Sequence, residues 1–462
     1  MPAFAPPTPD ATPIWLVSAA DWETVKSEIG RPAAAFAECC GFKAKAGQLQ
    51  LVAGEDGTLA AILFGVEKPD APARDPLAAG KLATSLPEGV YRFANPPPAA
   101  ELTALGFLLG LYRYERFKAE PGPLQPRLVA PEGLDAGRIE RIAAAIAFGR
   151  DLVNAPANAL GPNALEQEAV RLAETSGASL SVIRGDDLLA ANFPLVYAVG
   201  RAALELPRLV DFSWGRTDAP KVTLVGKGVT FDTGGLDIKT ASGMELMKKD
   251  MGGAATALTL AKLVMEARLD LRLRVVIPIV ENAISAPSMR PGDVVRSRKG
   301  LQVEIGNTDA EGRLILADAL ALADEEAPDL LVDFATLTGA ARVALGPDLP
   351  AFYADDEGLA AAIAAHAAKA RDPVWRMPLW RPYDAMIEGT IGDVSNSGTG
   401  AGMAGSITAA LFLRRFVDRA KAWAHFDVYA WNPKPRAHGP AGGEIQAARA
   451  MFELLSERYP PR

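Results

Sequence analysis

Apolar positions up to Ala130 come in short runs broken by turn residues. Pro13–Ala19 and Leu59–Val66 are β-rich, the second following a Glu55–Asp56–Gly57 turn. Leu102, Leu105, Leu108, Leu109 and Tyr112 recur at helical spacing within Ala99–Phe117. Proline-dense stretches at Glu67–Pro76 and Asn95–Pro98 separate these segments. The pattern predicts a smaller N-terminal α/β domain with long loops, over 1–132. A Pro/Gly break at Glu120–Gln125 and a short strand at Leu128–Ala130 precede Ala136–Asn154. That stretch carries Ile139, Ile142, Ala145, Ile146, Phe148 and Leu152 and ends before Pro156, which predicts a connecting helix within 133–156.

From Ala157 onward the pattern is strand, loop, helix, repeated. Strands are predicted at Ser179–Ile183, Leu195–Val199, Arg208–Phe212, Lys221–Val225, Leu273–Val280, Leu301–Ile305, Leu330–Phe334 and Trp423–Val428. Several are continuous Val/Ile/Leu runs, as in strands buried on both faces. Helices are predicted at Gly252–Ala267, Leu314–Asp324, Ala340–Leu345, Glu357–Ala370, Ala404–Phe416 and Glu444–Glu457. The expectation is a larger three-layer α/β catalytic domain over 157–462 with a mixed central sheet. In such domains ligands sit beyond the carboxyl ends of strands.

Composition narrows the function. The 462 residues are 49% hydrophobic and 23% charged, and Lys plus Arg against Asp plus Glu gives 48 − 56 = −8. An acidic surface repels phosphate backbones and weighs against a nucleic-acid role. No run approaches the roughly 20 apolar residues of a membrane helix, so no membrane partner is expected. The opening segment MPAFAPPTPDATPIW lacks the basic start and apolar stretch of a signal peptide. The cysteines are two neighbours, Cys39 and Cys40, which excludes a disulfide framework and favours a reducing, cytoplasmic location. With three histidines in the chain, His366, His425 and His438, any metal site must rest on other ligands.

Two segments carry charge in settings that a plain α/β domain does not require. Val225–Gly253, VGKGVTFDTGGLDIKTASGMELMKKDMGG, directly follows a buried strand, placing Lys227 and Asp232 at its carboxyl end. The phosphate-binding pattern GxxxxGK[ST] is absent, and the glycine spacing does not fit a dinucleotide fingerprint. Asp250 by itself also suits an ordinary acid at a helix N-terminus. In Asn307–Leu314, NTDAEGRL, the residues Asp309, Glu311 and Arg313 are spaced i, i+2, i+4, and in extended backbone they would point to one side. A solvated loop carries the same pattern. Taken together, Asp232, Asp250, Asp309 and Glu311 beside Lys227, Lys239 and Arg313 form an oxygen-rich set without His or Cys. That chemistry suits Mn²⁺, Mg²⁺ or Zn²⁺. A lysine forced neutral beside such ions serves as a nitrogen ligand, while a charged lysine and arginine stabilise an oxyanion or hold an anion.

These two segments closely resemble the leucyl aminopeptidase (cytosol aminopeptidase) family of dinuclear metallopeptidases, whose signature is NTDAEGRL. GKGVTFDTGG, DMGGAA, RPGDV, FATLTGA and AGSITAALFL extend the resemblance over most of Ala157–Leu455. The resemblance implies two divalent ions, Mn²⁺ or Zn²⁺, with Mg²⁺ a further candidate at the exchangeable site. Asp232 and Glu311 would bridge both, Lys227 and Asp250 would complete the tighter site, and Asp309 the exchangeable one. Lys239 would be catalytic, polarising the scissile carbonyl. Arg313 would be the second catalytic residue, holding a bicarbonate ion as general base toward a metal-bridging hydroxide. Met247, Thr336, Leu337 and Gly339 would line a substrate pocket suited to Leu-like side chains. A homohexamer acting on short peptides is implied as well; an additional DNA-binding role or a silent scaffold is the alternative.

The chain departs from the family's commonest pattern at several points. Thr240 follows Lys239 where Pro is common, Asp237 lies two residues before it, and Lys249 stands beside Asp250 where an aromatic or apolar residue is frequent. Val428–Gly443 is also divergent, and the N-terminal domain matches only in general layout. His425 and Asp427 are expected to be structural, Cys39–Cys40 buried, and Trp375 and Trp380 engaged in packing or subunit contact.

Overall fold

The structure, a computed structural model, describes residues 2–54, 56–68, 71, 74–97, 99–120, 122, 125–399 and 402–462. The expected turn at 55–57 and the breaks at 67–76, 95–98 and 120–125 fall partly outside the described residues. The chain divides into two compact units, 1–147 with 434–441 and 148–433 with 442–462. The expected connecting helix forms as Ala136–Asn154 and contributes to both.

The first unit is built on a five-stranded sheet of β1 (Thr12–Val17), β2 (Leu49–Ala53), β3 (Leu59–Gly65), β4 (Val90–Phe93) and β5 (Arg127–Leu128), in the order β2-β3-β1-β4-β5. Only β2 runs antiparallel to its neighbour. Val17, Phe42, Val52 and Leu63 fill the core on one side. The helix expected over Ala99–Phe117 is Ala100–Gly110 and is buried on nearly every face. Cys39 and Cys40 are exposed, not buried as expected. They end the helix Arg31–Cys39, where the chain reverses at Gly41 (φ +80°) and carries both side chains outward.

The second unit carries a nine-stranded mixed sheet. Its strands are β6 (Ser179–Arg184), β7 (Arg208–Trp214), β8 (Lys221–Gly226), β9 (Gly228–Asp232), β10 (Arg272–Asn282), β11 (Leu330–Ala335), β12 (Ala351–Ala354), β13 (Trp375–Arg376) and β14 (Trp423–Asp427). The order is β13-β12-β14-β11-β8-β10-β7-β6, with β9 paired to the end of β10. The central strands β8, β9, β10, β11 and β14 are mutually parallel, so their carboxyl ends share one edge. β11 and β14 are buried at every position, and the polar groups they carry inward pair with each other, Asp333 with His425 and with Trp423 Nε1. Helix Gly252–Glu266 packs on the sheet with Ala448–Arg458 against it, and Glu311–Asp324 and Pro194–Gly200 pack on the sheet with Gly405–Arg414 against Glu311–Asp324, giving the three layers expected.

Leu195–Val199 is not a strand: it lies inside the helix Pro194–Gly200. A short apolar run has no period to separate helix from strand. Here Pro194 presets the first helical turn, and the buried Asp318 carboxylate accepts from Leu195 N (2.8 Å) and Val196 N (3.3 Å). The expected strand at Leu301–Ile305 shrinks to Gln302–Glu304 and joins a separate three-stranded sheet with 294–296 and 394–395. The last helix starts at Ala448, not Glu444. Trp375 and Trp380 are about half exposed (56% and 53%), so each is only partly packed within the single chain. Among the described residues no helix is long and apolar enough to cross a membrane.

Candidate active site

The shared carboxyl edge of the parallel strands collects the polar residues. Lys227 follows β8, Asp232 ends β9, Asn282 ends β10, Thr336 follows β11 and Asp427 ends β14. Two loops lean over this edge. In the first, Gly234 (φ +90°) and Gly235 (φ +65°) turn the chain so that Lys239 points back at Asp232. The second is Asn307–Ala310, where the Asn307 side chain accepts from Asp309 N at 2.8 Å. Asp237 and Thr308 join the loops, Thr308 N donating to the Asp237 carboxylate and Asp237 N to Thr308 Oγ1, both at 2.8 Å. The backbone is not extended across Asp309–Arg313, contrary to expectation. The helix begins at Glu311, one turn earlier than predicted, because Ala310 takes a cap conformation just after the Asx turn.

Six charged side chains meet in this space. Lys227, 3% exposed, places Nζ 2.8 Å from Asp250 Oδ2, 3.1 Å from Glu311 Oε1 and 2.8 Å from the Thr336 carbonyl. Lys239 Nζ lies 2.7 Å from Asp232 Oδ2 and also pairs with Asp309. Asp232 Oδ1 accepts from Gly234 N (2.9 Å) and Asn282 Nδ2 (2.8 Å). Thr336 Oγ1 donates to Asp250 Oδ1 at 2.8 Å. Four carboxylates against two ammonium groups leave an excess of two negative charges in a largely buried cluster.

Titration behaviour follows from that excess. Burial and the neighbouring Asp250 carboxylate push the Asp232 carboxyl up to about 6. Burial, reinforced by Asp232, raises Glu311 well above the ordinary glutamate range. Burial works to lower both lysines, but the carboxylates around them outweigh it and raise each above its usual value. Both Glu311 carboxylate oxygens are buried; Oε1 has only the Lys227 ion pair at 3.1 Å, and Oε2 has no partner among the described residues, an expensive arrangement for an acid in a native fold. Oxygens of Asp232, Asp309 and Glu311 lie within 4.8 Å of one another. Crowded carboxylate oxygens of this kind, with the Lys227 nitrogen beside them and no His or Cys, fit hard or borderline divalent ions.

Arg313 lies on the same helix as Glu311. Its Nη1 donates to the Asn396 carbonyl at 2.6 Å, and its buried Nε has no partner among the described residues. Burial lowers its pKa to about 10, against the opposing fields of Glu311 and Asp427. A cleft of about 720 Å³ opens over the cluster. Lys227, Asp232, Lys239, Asp250, Asp309 and Arg313 line it, with Glu311 beneath them; Met247, Thr336, Leu337 and Gly339 line it too. Every site residue expected from the sequence therefore meets at one cleft.

Several partners were not singled out. Asn282 orients Asp232; a polar residue ending a long buried strand was a usable signal for it. Asn396 holds the signature loop through Gly306 N (2.8 Å) and the Asn307 carbonyl (2.7 Å), and no sequence pattern marks it. Asp427 is structural, as expected: it accepts from Leu337 N (3.0 Å), Thr338 N (3.1 Å) and Thr338 Oγ1 (2.6 Å) and so fixes the pocket loop. His425 pairs with Asp333 at 2.6 Å inside the sheet, away from the cleft.

The cluster of carboxylates and lysines at the strand ends of this three-layer domain has the chemistry to hold divalent ions. Residues 147–451 match the catalytic domain of the cytosol aminopeptidase family, and 12–131 match the M17 aminopeptidase N-terminal domain. A probable cytosol aminopeptidase of Nitratidesulfovibrio vulgaris is 41% identical over 78% of this chain and 75% of its own. The crystal structure of a cytosol aminopeptidase from Coxiella burnetii superimposes with a TM-score of 0.93 at 42% identity, covering 98% of each chain. The bottromycin maturation enzyme BotP, solved in complex with Mn, gives 0.87 at 33% identity over 97% of this chain and 99% of its own. The chain belongs to the cytosol aminopeptidase family and is a metalloexopeptidase.

Proposed function

We propose that the chain is a two-metal aminopeptidase that releases N-terminal residues, Leu-like apolar ones among them, from short peptides. The buried Glu311 carboxylate, crowded against Asp232 and Asp309 with only Lys227 to compensate it, carries this reading. Asp232, Glu311, Lys227, Asp250 and Asp309 would hold the two ions, Asp232 and Glu311 shared between them, Lys227 and Asp250 at the tighter site and Asp309 at the exchangeable one. Lys227, which the carboxylates keep protonated in the metal-free cluster, would give up its proton to serve as a nitrogen ligand. When bound, the ions supply Lewis acidity for the carbonyl and activation of water near neutral pH.

The chain's own groups do the rest. Lys239, at the cleft wall, donates to the scissile carbonyl oxygen and stabilises the negative charge that develops there. Arg313 offers a buried guanidinium with an unpaired Nε–H, suited to holding bicarbonate as the base that takes a proton from the attacking water. Met247 and Leu337 wall the pocket for the N-terminal side chain, and the Asp427 hydrogen bonds keep that wall in place. Assembly as a homohexamer in the cytoplasm belongs to the same proposal. Chelation of the purified protein is expected to abolish hydrolysis of leucine amide, and Mn²⁺ or Zn²⁺ to restore it with two equivalents bound by metal analysis. Full activity in protein free of metal would overturn the reading.

A further inference from the structure

The cleft contains two cations that the chemistry above leaves unused. Lys249 belongs to the short turn Met247–Met251, two residues after the pocket residue Met247. It lines the cleft, yet only 6% of its surface is exposed, and its ammonium stands 4.7 Å from the centre of the Tyr429 ring. It makes no hydrogen bond or ion pair through its side chain among the described residues. The two carboxylates whose fields reach it, Asp250 and Asp427, are turned to other partners. Asp250 faces Lys227 and Thr336, and Asp427 faces Leu337 and Thr338. Across the same ring, the Arg342 guanidinium stands 5.3 Å from the Tyr429 centroid and also lines the cleft.

A buried ammonium without a counter-ion is costly, and a ring face compensates it only in part. In this position an anionic substrate group supplies the missing charge. Met247 and Leu337 provide aliphatic surface beside the two cations, which suits a side chain with methylenes near its backbone and a carboxylate at its tip. We propose that Lys249, supported by Arg342, is a specificity-determining residue that makes the pocket accept N-terminal acidic residues, Glu ahead of Asp. This rests on the aminopeptidase reading and concerns which N-terminal residue that same site takes.

The test compares the amides of glutamate, aspartate and leucine on Mn²⁺-loaded wild type, Lys249→Met and Lys249→Arg. Amino-acid amides carry no C-terminal carboxylate, so the side chain is the only anionic group offered. The expected result is glutamate amide cleaved by wild type with a kcat/KM at least equal to that for leucine amide. The Glu/Leu ratio should fall at least tenfold in Lys249→Met, mostly through KM, and recover in Lys249→Arg. Bound metal and melting temperature measured alongside show whether the variants are intact. Should Lys249→Met fail to fold, inhibition of wild-type leucine-amide hydrolysis by free glutamate is expected to exceed inhibition by free leucine, and the reverse order overturns the assignment. Leucine amide preferred more than tenfold by wild type, or a ratio unmoved by Lys249→Met, overturns it while leaving the aminopeptidase reading intact. A ratio that moves only for Leu-Gly against leucine amide would place the second residue's carboxylate at Lys249, and also overturns it. Failure of the metal-loaded protein on every amide and on Leu-Gly would instead sink the proposed function itself.

Discussion

Gly312 stands in the middle of the signature motif, and its replacement by alanine isolates what that glycine does. A Cβ there would lie 2.5 Å from Lys227 Cε, 2.7 Å from Nζ and 2.8 Å from Cδ. Ordinary carbon contacts need about 3.5–4.0 Å, so the lysine must retreat by roughly 1 Å. Its ammonium is held by contacts of 2.8, 2.8 and 3.1 Å to Asp250, Thr336 and Glu311. Hydrogen bonds fade beyond about 3.2 Å, so a shift of that size removes at least one of the three. Bonds to charged groups contribute about 1.5–3 kcal/mol each. Against this, alanine gains over glycine at most about 0.5–1 kcal/mol, the helix-interior value, and Gly312 is only the second residue of its helix. The contact loss wins, and Gly312→Ala should be destabilised by about 1–2 kcal/mol in denaturant titrations of chelated protein. It should also bind less than two equivalents of metal and lose most of its activity. A double-mutant cycle sharpens the test, because in a Lys227→Ala background the clash is gone and the alanine should become neutral or stabilising. Equal destabilisation in both backgrounds, or a Gly312→Ala protein with full metal content and rate, would refute the reasoning.

Two further outcomes follow from the same cluster. Lys239→Ala should keep both ions and lose ~10²–10³ in kcat with a smaller change in KM, while Lys227→Ala should deplete one ion; metal analysis showing the reverse would mean the two lysines have exchanged roles. In chelated protein Asp232 keeps its proton up to about pH 6, whereas the unfolded chain ionises near its ordinary 3.8. The folded state therefore binds the extra proton between these values, its stability contribution is full below about pH 4, and it is lost as pH rises through 6. Asp232→Asn should flatten that decline in chelated protein, and a parallel pH profile would contradict the burial argument.

Much of this molecule can be read from the chain because its chemistry is local. Lys227 and Asp232 are the third and eighth residues of Val225–Gly253, a segment that leaves a buried strand, and Asp309, Glu311 and Arg313 fall within five consecutive residues. Residue type and spacing are enough to mark such groups as ligands and charge stabilisers. The long Val/Ile/Leu runs of β8, β10 and β11 likewise announce buried strands, since little else satisfies so apolar a backbone. What only the tertiary structure decided is everything that depends on partners far along the chain. Leu195–Val199 became a helix because Asp318, distant in sequence, caps it. Asn282, Asn396 and Asp427 are ordinary polar residues until the fold brings them 50 to 90 positions to Asp232, Asn307 and Leu337. The short return of 434–441 to the first unit and the exposure of Cys39 and Cys40 belong to the same class. So does the meeting of Lys249 and Arg342 over Tyr429, residues separated in sequence by whole strands and helices. Short-range pattern encodes which atoms are available; packing, which is non-local, encodes which of them meet and at what cost in desolvation.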